Sequence, residues 1–173
     1  TISLRRLYVL FFIHHASRRV FLAGITTNPT RDWVTQVARN VTAELRDAGI
    51  AVKYLLRDRD DKFAPGFDAL WESEGASIVR SPVRPPNANA IAERWVRTVR
   101  PECTDRLFIL NERHLGRVLV RYVRHYDGHR PHRTLGLRPP DPRIARIPST
   151  PAELASVCRR EILGALINEY HAA

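Results

Sequence analysis

Apolar and polar positions alternate along this chain in blocks whose periods change from strand-like to helical and back. "LYVLFFI" (Leu7 to Ile13) is a continuous apolar run of strand length, and the polar "HHASRR" separates it from a second run, "VFLAGI". Such runs suit strands covered on both faces, so the pair predicts a buried hairpin. Thr30 then caps a pattern in which Trp33, Val34, Val37, Ala38, Val41 and Leu45 share one helical face, with Gly49 just past its end. "VKYLL" (Val52 to Leu56) reads as a largely buried strand. Phe67, Leu70 and Trp71 mark a short helix that stops at Gly75, and "SIVR" (Ser77 to Arg80) is another short strand.

The three prolines of "SPVRPPNAN" make a loop. Helical spacing resumes at Ile91, Trp95 and Val99, and again at Leu115, Val118, Leu119, Tyr122 and Tyr126, with Asn111 as cap and Gly128 as end. "HRPHRTLGLRPPDP" reads as an extended basic segment. Beyond it, "TPAE" (Thr150 to Glu153) has the form of a capping box. It predicts an amphipathic C-terminal helix carrying Leu154, Val157, Leu163, Leu166, Ile167 and Tyr170. That stripe is too apolar to leave in water, so it is expected to pack on the core or on a second copy. The element order predicts an α/β layer with a mixed sheet.

Composition narrows the function classes. With 28 Lys+Arg against 18 Asp+Glu, the 173-residue chain carries a formal net charge of +10, which predicts an acidic partner, nucleic acid before anionic membrane. No apolar stretch approaches the roughly 18 residues of a membrane span. The two cysteines, Cys103 and Cys158, form no C-x-x-C pair, which argues against a disulfide framework or a cysteine-based structural zinc site and fits a reducing cytoplasm. The absence of methionine points to an expectation of processing or truncation at the start.

Against this basic background, "YLLRDRDDKF" (Tyr54 to Phe63) sets three aspartates directly after an apolar strand. Asp58 falls at the carboxyl end of that strand, where open α/β sheets place ligands. Glu93 comes early in the helix after the proline loop, on a face it shares with Arg97 and Arg100, while Arg94 also pairs with Arg97 by spacing. Carboxylates that bind a hard cation beside phosphate-seeking guanidinium groups suit phosphodiester cleavage or transfer. The bland alternative is a solvated turn at Asp58 and an i,i+4 ion pair between Glu93 and Arg97; spacing alone favours it. His125, His129 and His132 offer a rival metal site through H-x₃-H. Gly128 and Pro131 interrupt that helix, so a basic loop at a phosphate is the favoured reading there.

At these residues a resemblance becomes specific. "LLRDRDDKF", "SPVRPPNANAIAERWVRTVRPEC", "NERHL" and "YVRHYDGHRPHRTLGLRPP", in this order, resemble the catalytic core of integrase-type DDE transposases, the group of bacterial insertion-sequence transposases and retroviral integrases. The resemblance runs from about Leu7 to Pro140. It implies a ribonuclease-H-like mixed sheet flanked by helices, with residues 1–140 as catalytic core and 141–173 as a Pro-rich linker and C-terminal helix. The implied activity is metal-dependent DNA cleavage and strand transfer with two Mg²⁺ (or Mn²⁺) ions. Asp58 and Glu93 match the second and third carboxylates of the family's triad, as catalytic residues and metal ligands. Asn89 matches an asparagine that shapes the site, and Arg94, Arg97, Arg100, Arg130, His132 and Arg133 become DNA contacts. Asp60 and Asp61 match no catalytic position. The implied partner is DNA, handled by a homo-oligomer of the full-length protein on the chromosome in the bacterial cytoplasm.

One departure stands out. The family's first aspartate lies on the first strand of the sheet, and neither Thr1 to Arg6 nor "FFIHHASRR" holds a carboxylate. The expectation is therefore a core lacking its first strand, inactive on its own. The contrasting possibility is a non-catalytic, DNA-binding and self-associating remnant of a transposable element.

Overall fold

A computed structural model describes residues 5–82, 89–141, 143–144 and 156–172. The first two strands, β1 (Tyr8–Ile13) and β2 (Val20–Thr26), form the expected antiparallel hairpin. The register slips between Leu10 and Phe11, which leaves Ala23 as an extra residue in β2. Leu10 and Phe12 face one apolar cluster, while Leu7, Val9, Phe11 and Ile13 face another. Burial on two faces is why the run is unbroken rather than alternating.

The first cluster lies under α1 (Arg31–Asp47) and α2 (Pro65–Ser73), around Phe21, Val34, Ala38, Phe67 and Trp71. Thr30 caps α1 by accepting a hydrogen bond from the Trp33 amide at 3.2 Å. Gly49 ends it at φ +66°, a left-handed conformation that glycine adopts without strain. Trp33 lies directly over β2: a Cβ on Gly24 would sit 2.8 Å from its Cζ2, so the absence of a side chain at Gly24 is what lets helix and strand close.

The second cluster lies under α3 (Ala90–Glu102) and α4 (Glu112–Gly128), around Trp95, Val99, Cys103, Leu119 and Tyr122. The three tryptophans thus pack in or against the core, as their helical positions predict. Each fully buried side chain of this size contributes about 1.5–3 kcal/mol over leaving it exposed. Asn111 caps α4 by accepting from the His114 amide at 2.8 Å.

β3 (Tyr54–Arg57) and β4 (Ser77–Arg80) pair in parallel. Only one face of this pair is covered. Leu55 and Ile78 meet the cluster under α1 and α2, whereas Tyr54, Leu56 and Val79 are exposed, so β3 is half-buried rather than largely buried. Among the described residues the strands form three two-stranded sheets, and β1 and β3 each have a single partner. No described helix is long and apolar enough to cross a membrane.

The C-terminal helix is a correction. Residues 157–172 form an antiparallel hairpin of β5 (Val157–Ile162) and β6 (Ile167–Ala172). Leu163, Gly164 and Ala165 all have positive φ, at 54°, 69° and 65°, and this left-handed turn breaks any helix through the segment. Leu163 and Ile167 pack on the α3–α4 cluster, so the apolar stripe does reach the core, as strands. The Thr150–Glu153 capping box lies outside the described residues.

Candidate active site

The parallel pairing of β3 and β4 brings their carboxyl ends together: Arg57 is in register with Arg80, and the Ser81 amide donates to the Arg57 carbonyl at 2.8 Å. Asp58 is the first residue past β3. Its side chain is exposed, and its Oδ1 accepts the Asp60 amide at 3.1 Å, an Asx-type turn that fixes one carboxylate oxygen. Asp60 in turn accepts the Lys62 amide at 2.9 Å, a bond that holds the Asp60 carboxyl below its ordinary range. Asp61 pairs with Arg31 at 3.5 Å. These are the bonds of turn residues.

Beneath the turn lies a network that sequence reasoning missed. Arg57 and Asp68 are both buried and meet fork to fork, at 2.8 Å (Nε to Oδ1) and 2.6 Å (Nη2 to Oδ2). Arg80 adds a third contact to Asp68 at 2.8 Å. The hydrogen bond from Arg57, foremost, holds the Asp68 carboxyl below its usual value despite burial. Arg57 Nη1 also donates to the Asp58 carbonyl at 2.8 Å, so a buried ion pair fixes the backbone of the candidate ligand. The available signal was a carboxylate between Phe67 and Trp71 on an apolar helix face, next to a strand that ends in arginine. A polar cavity of about 460 Å³ opens beside the network, lined among others by Arg59, Asp61, Phe63 and Arg80.

Glu93 sits in the first turn of α3. Trp95 and Val99 bury the opposite face, which turns Glu93, Arg94, Arg97 and Arg100 outward. Glu93 and Arg97 approach only to 3.8 Å, an exposed i,i+4 contact of little strength that leaves both available to other partners. Arg100 lies 3.7 Å from Asp105. Asn89 occupies the N-cap position, where its carbonyl accepts the Glu93 amide at 3.0 Å, but its side chain makes no capping bond.

The basic segment after α4 is less uniform than its composition suggests. Arg130 pairs with Glu102, which also accepts the Tyr122 hydroxyl at 2.7 Å, so this guanidinium ties the ends of α3 and α4 together. His132 packs edge-on against Tyr126 at 4.7 Å, and burial pushes its pKa down, which favours a neutral ring. Arg133 is exposed. The structure therefore leaves Arg94, Arg97, Arg100 and Arg133 at the surface and gives Arg130 an internal partner.

Residues 83–88, which join β4 to α3, lie outside the described residues. The donor set at Asp58 and Glu93 is carboxylate oxygen, which fits Mg²⁺ or Mn²⁺ rather than a soft metal. No curated protein matches the chain. Residues 74–140, which run from the turn before β4 through α3 and α4 to Pro140, match the family model described as the integrase core domain.

Proposed function

We propose that the chain is the catalytic core of a DDE-type DNA recombinase, a transposase or integrase, with Asp58 and Glu93 as metal ligands and catalytic carboxylates. The observation that carries this reading is positional. Asp58 follows β3 at the edge where β4 also ends, and the chain leaving that edge enters α3 one turn before Glu93. Arg94, Arg97 and Arg100 line the exposed face beside Glu93, where a phosphodiester backbone is held by guanidinium contacts. Asp58 and Glu93 would hold divalent ions there, whose chemistry would be to activate the attacking oxygen and stabilise the leaving one. The chain's own part is to hold the ligands and the strand: the Arg57–Asp68 pair fixes Asp58, buried Trp95 fixes the turn of α3, and the arginines orient DNA.

In this reading the fold is ribonuclease-H-like. β1 and β3 share the cluster under α1 and α2, and each has one unpaired edge among the described residues. One further strand between them, of the kind that carries the first carboxylate in the family, would join the two small sheets into a mixed one. In this reading the protein acts on DNA as a homo-oligomer, on the chromosome in the bacterial cytoplasm.

Binding to DNA follows from a net charge of +10 and an exposed arginine face. Affinity is expected to show little sequence preference, and log affinity to fall linearly with log salt. Replacing Arg94, Arg97 or Arg133 with alanine should each reduce the magnitude of that slope by about 1. Fluorescence anisotropy across a salt series checks this. Salt-insensitive binding, or base-specific protection in footprinting, would count against the proposal.

A further inference from the structure

His125 and His129 lie one turn apart at the end of α4, with parallel rings 5.9 Å apart. The sequence reading has Gly128 and Pro131 interrupting the helix so that the three imidazoles need not converge; two of them do, because α4 continues through Gly128 and His129 is its C-cap. His132 turns away to Tyr126. The third partner comes from the C-terminal hairpin. Glu169 of β6 is 7% exposed, and its Oε1 stands 3.3 Å from His125 Nδ1 and 3.4 Å from His129 Nδ1.

We infer that His125, His129 and Glu169 form a zinc site that pins the β5–β6 hairpin to α4. Three features carry this. First, one atom from each side chain converges within 4.8 Å of the others. Second, the two distances from Glu169 Oε1 to the imidazole nitrogens, 3.3 and 3.4 Å, are those between neighbouring ligands of one zinc ion, since bonds of about 2.0–2.1 Å at a tetrahedral angle put ligand atoms roughly 3.3–3.5 Å apart. His125 Nδ1 is within hydrogen-bond reach of Glu169, whereas His129 Nδ1 is buried with no hydrogen-bond partner and a metal would satisfy it. Third, a buried carboxylate needs a cation, and among the described residues no guanidinium or ammonium pairs with Glu169. The His125 and His129 side chains are 15% and 18% exposed, so water can reach the cluster to complete the coordination. Nitrogen and carboxylate together suit zinc rather than Mg²⁺.

The hairpin has few other attachments. Leu163 and Ile167 reach the core, but β5 is exposed along nearly its whole length. A metal at Glu169 therefore fixes an element that packing alone holds lightly.

The test is calorimetric titration of Zn²⁺ into tag-free, chelator-stripped protein, with Co²⁺ substitution read in the visible spectrum. The expected result is one ion per chain with submicromolar affinity and the intense bands of tetrahedral Co²⁺. His129→Asn and Glu169→Gln should each weaken binding by at least about tenfold, while the Asp58→Asn, Glu93→Gln double variant keeps it. Should Glu169→Gln unfold, His125→Asn and the wild-type Co²⁺ spectrum still decide the matter. Zn²⁺ should also slow tryptic cleavage at the exposed Arg159 and Arg160. Absence of stoichiometric zinc at micromolar concentration would overturn the site, and so would wild-type affinity in both ligand variants or octahedral Co²⁺ bands.

Discussion

Replacing Asp68 with alanine is expected to destabilise the fold by about 3–5 kcal/mol, because it strands the Arg57 guanidinium in the interior with no counter-charge. Both side chains of this pair are 8% exposed, so water offers little relief. Arg80, at 60% exposed, can turn to solvent and loses little. Asp68→Asn keeps the shape without the charge and should recover only part of the loss. A double replacement of Arg57 and Asp68 by leucine should recover more, since a buried pair replaced by packed apolar groups is often close to neutral. The same pair makes an acid-labile contribution. The Asp68 pKa is held below its unfolded value, so its stabilisation is full above the ordinary carboxylate range and is lost as pH falls through the folded pKa. Urea denaturation of the wild type and the three variants at pH 7, and of the wild type and Asp68→Asn at falling pH, measures all of this. A loss under about 1 kcal/mol for Asp68→Ala would mean that Arg57 finds water, contrary to its burial. The consequence reaches the site, because Arg57 also holds the Asp58 carbonyl.

Asp127 should give the opposite sign. It is 4% exposed, and burial, foremost, pushes its pKa up to about 7, while its Oδ1 accepts the Val20 amide at 3.1 Å. Arg19 draws the value down and Asp141 draws it up. Since the folded pKa lies above the unfolded one, the protonated group is well tolerated below about pH 4, and the cost of ionisation appears as pH rises towards 7. Asn retains the acceptor for Val20 and cannot ionise. Asp127→Asn is therefore expected to stabilise the protein at pH 8 by about 2–4 kcal/mol, with the gain vanishing near pH 4. Thermal melts of both proteins across this range check the sign and the window. A variant less stable than wild type at pH 8 would show that the ionised carboxylate is favoured in place.

These contrasts mark what the sequence could and could not disclose. The Thr30 and Asn111 caps, the apolar runs of β1 and β2 and the faces of α1, α3 and α4 are local signals, and the structure has them where the spacing puts them. The C-terminal segment was ambiguous because Val157, Leu163, Ile167 and Tyr170 fit a helical stripe as readily as two short strands. Gly164 was the one residue arguing for a turn, and it has φ +69°. Long-range pairings were invisible. Asp68 finds Arg57 and Arg80 only once α2 packs across the strands, and Glu169 meets His125 across 44 positions of chain. Asp58 and Glu93 stand out in the sequence through their motifs, and the structure leaves both exposed, as it does the arginine face of α3. The internal role of Arg130 was not, since nothing local links it to Glu102.

The proposed sharing of one ion by Asp58 and Glu93 is tested most directly by paramagnetic broadening of backbone amide signals on Mn²⁺ titration. A shared ion broadens the amides of residues 58–61 and 90–94 together at low Mn²⁺, and either Asp58→Asn or Glu93→Gln removes the effect from both segments. Broadening near His125 and His129 reports on the other site and is set apart by its position. Broadening confined to one of the two segments, or unchanged in Glu93→Gln, would contradict the assignment of these carboxylates to one metal-binding site.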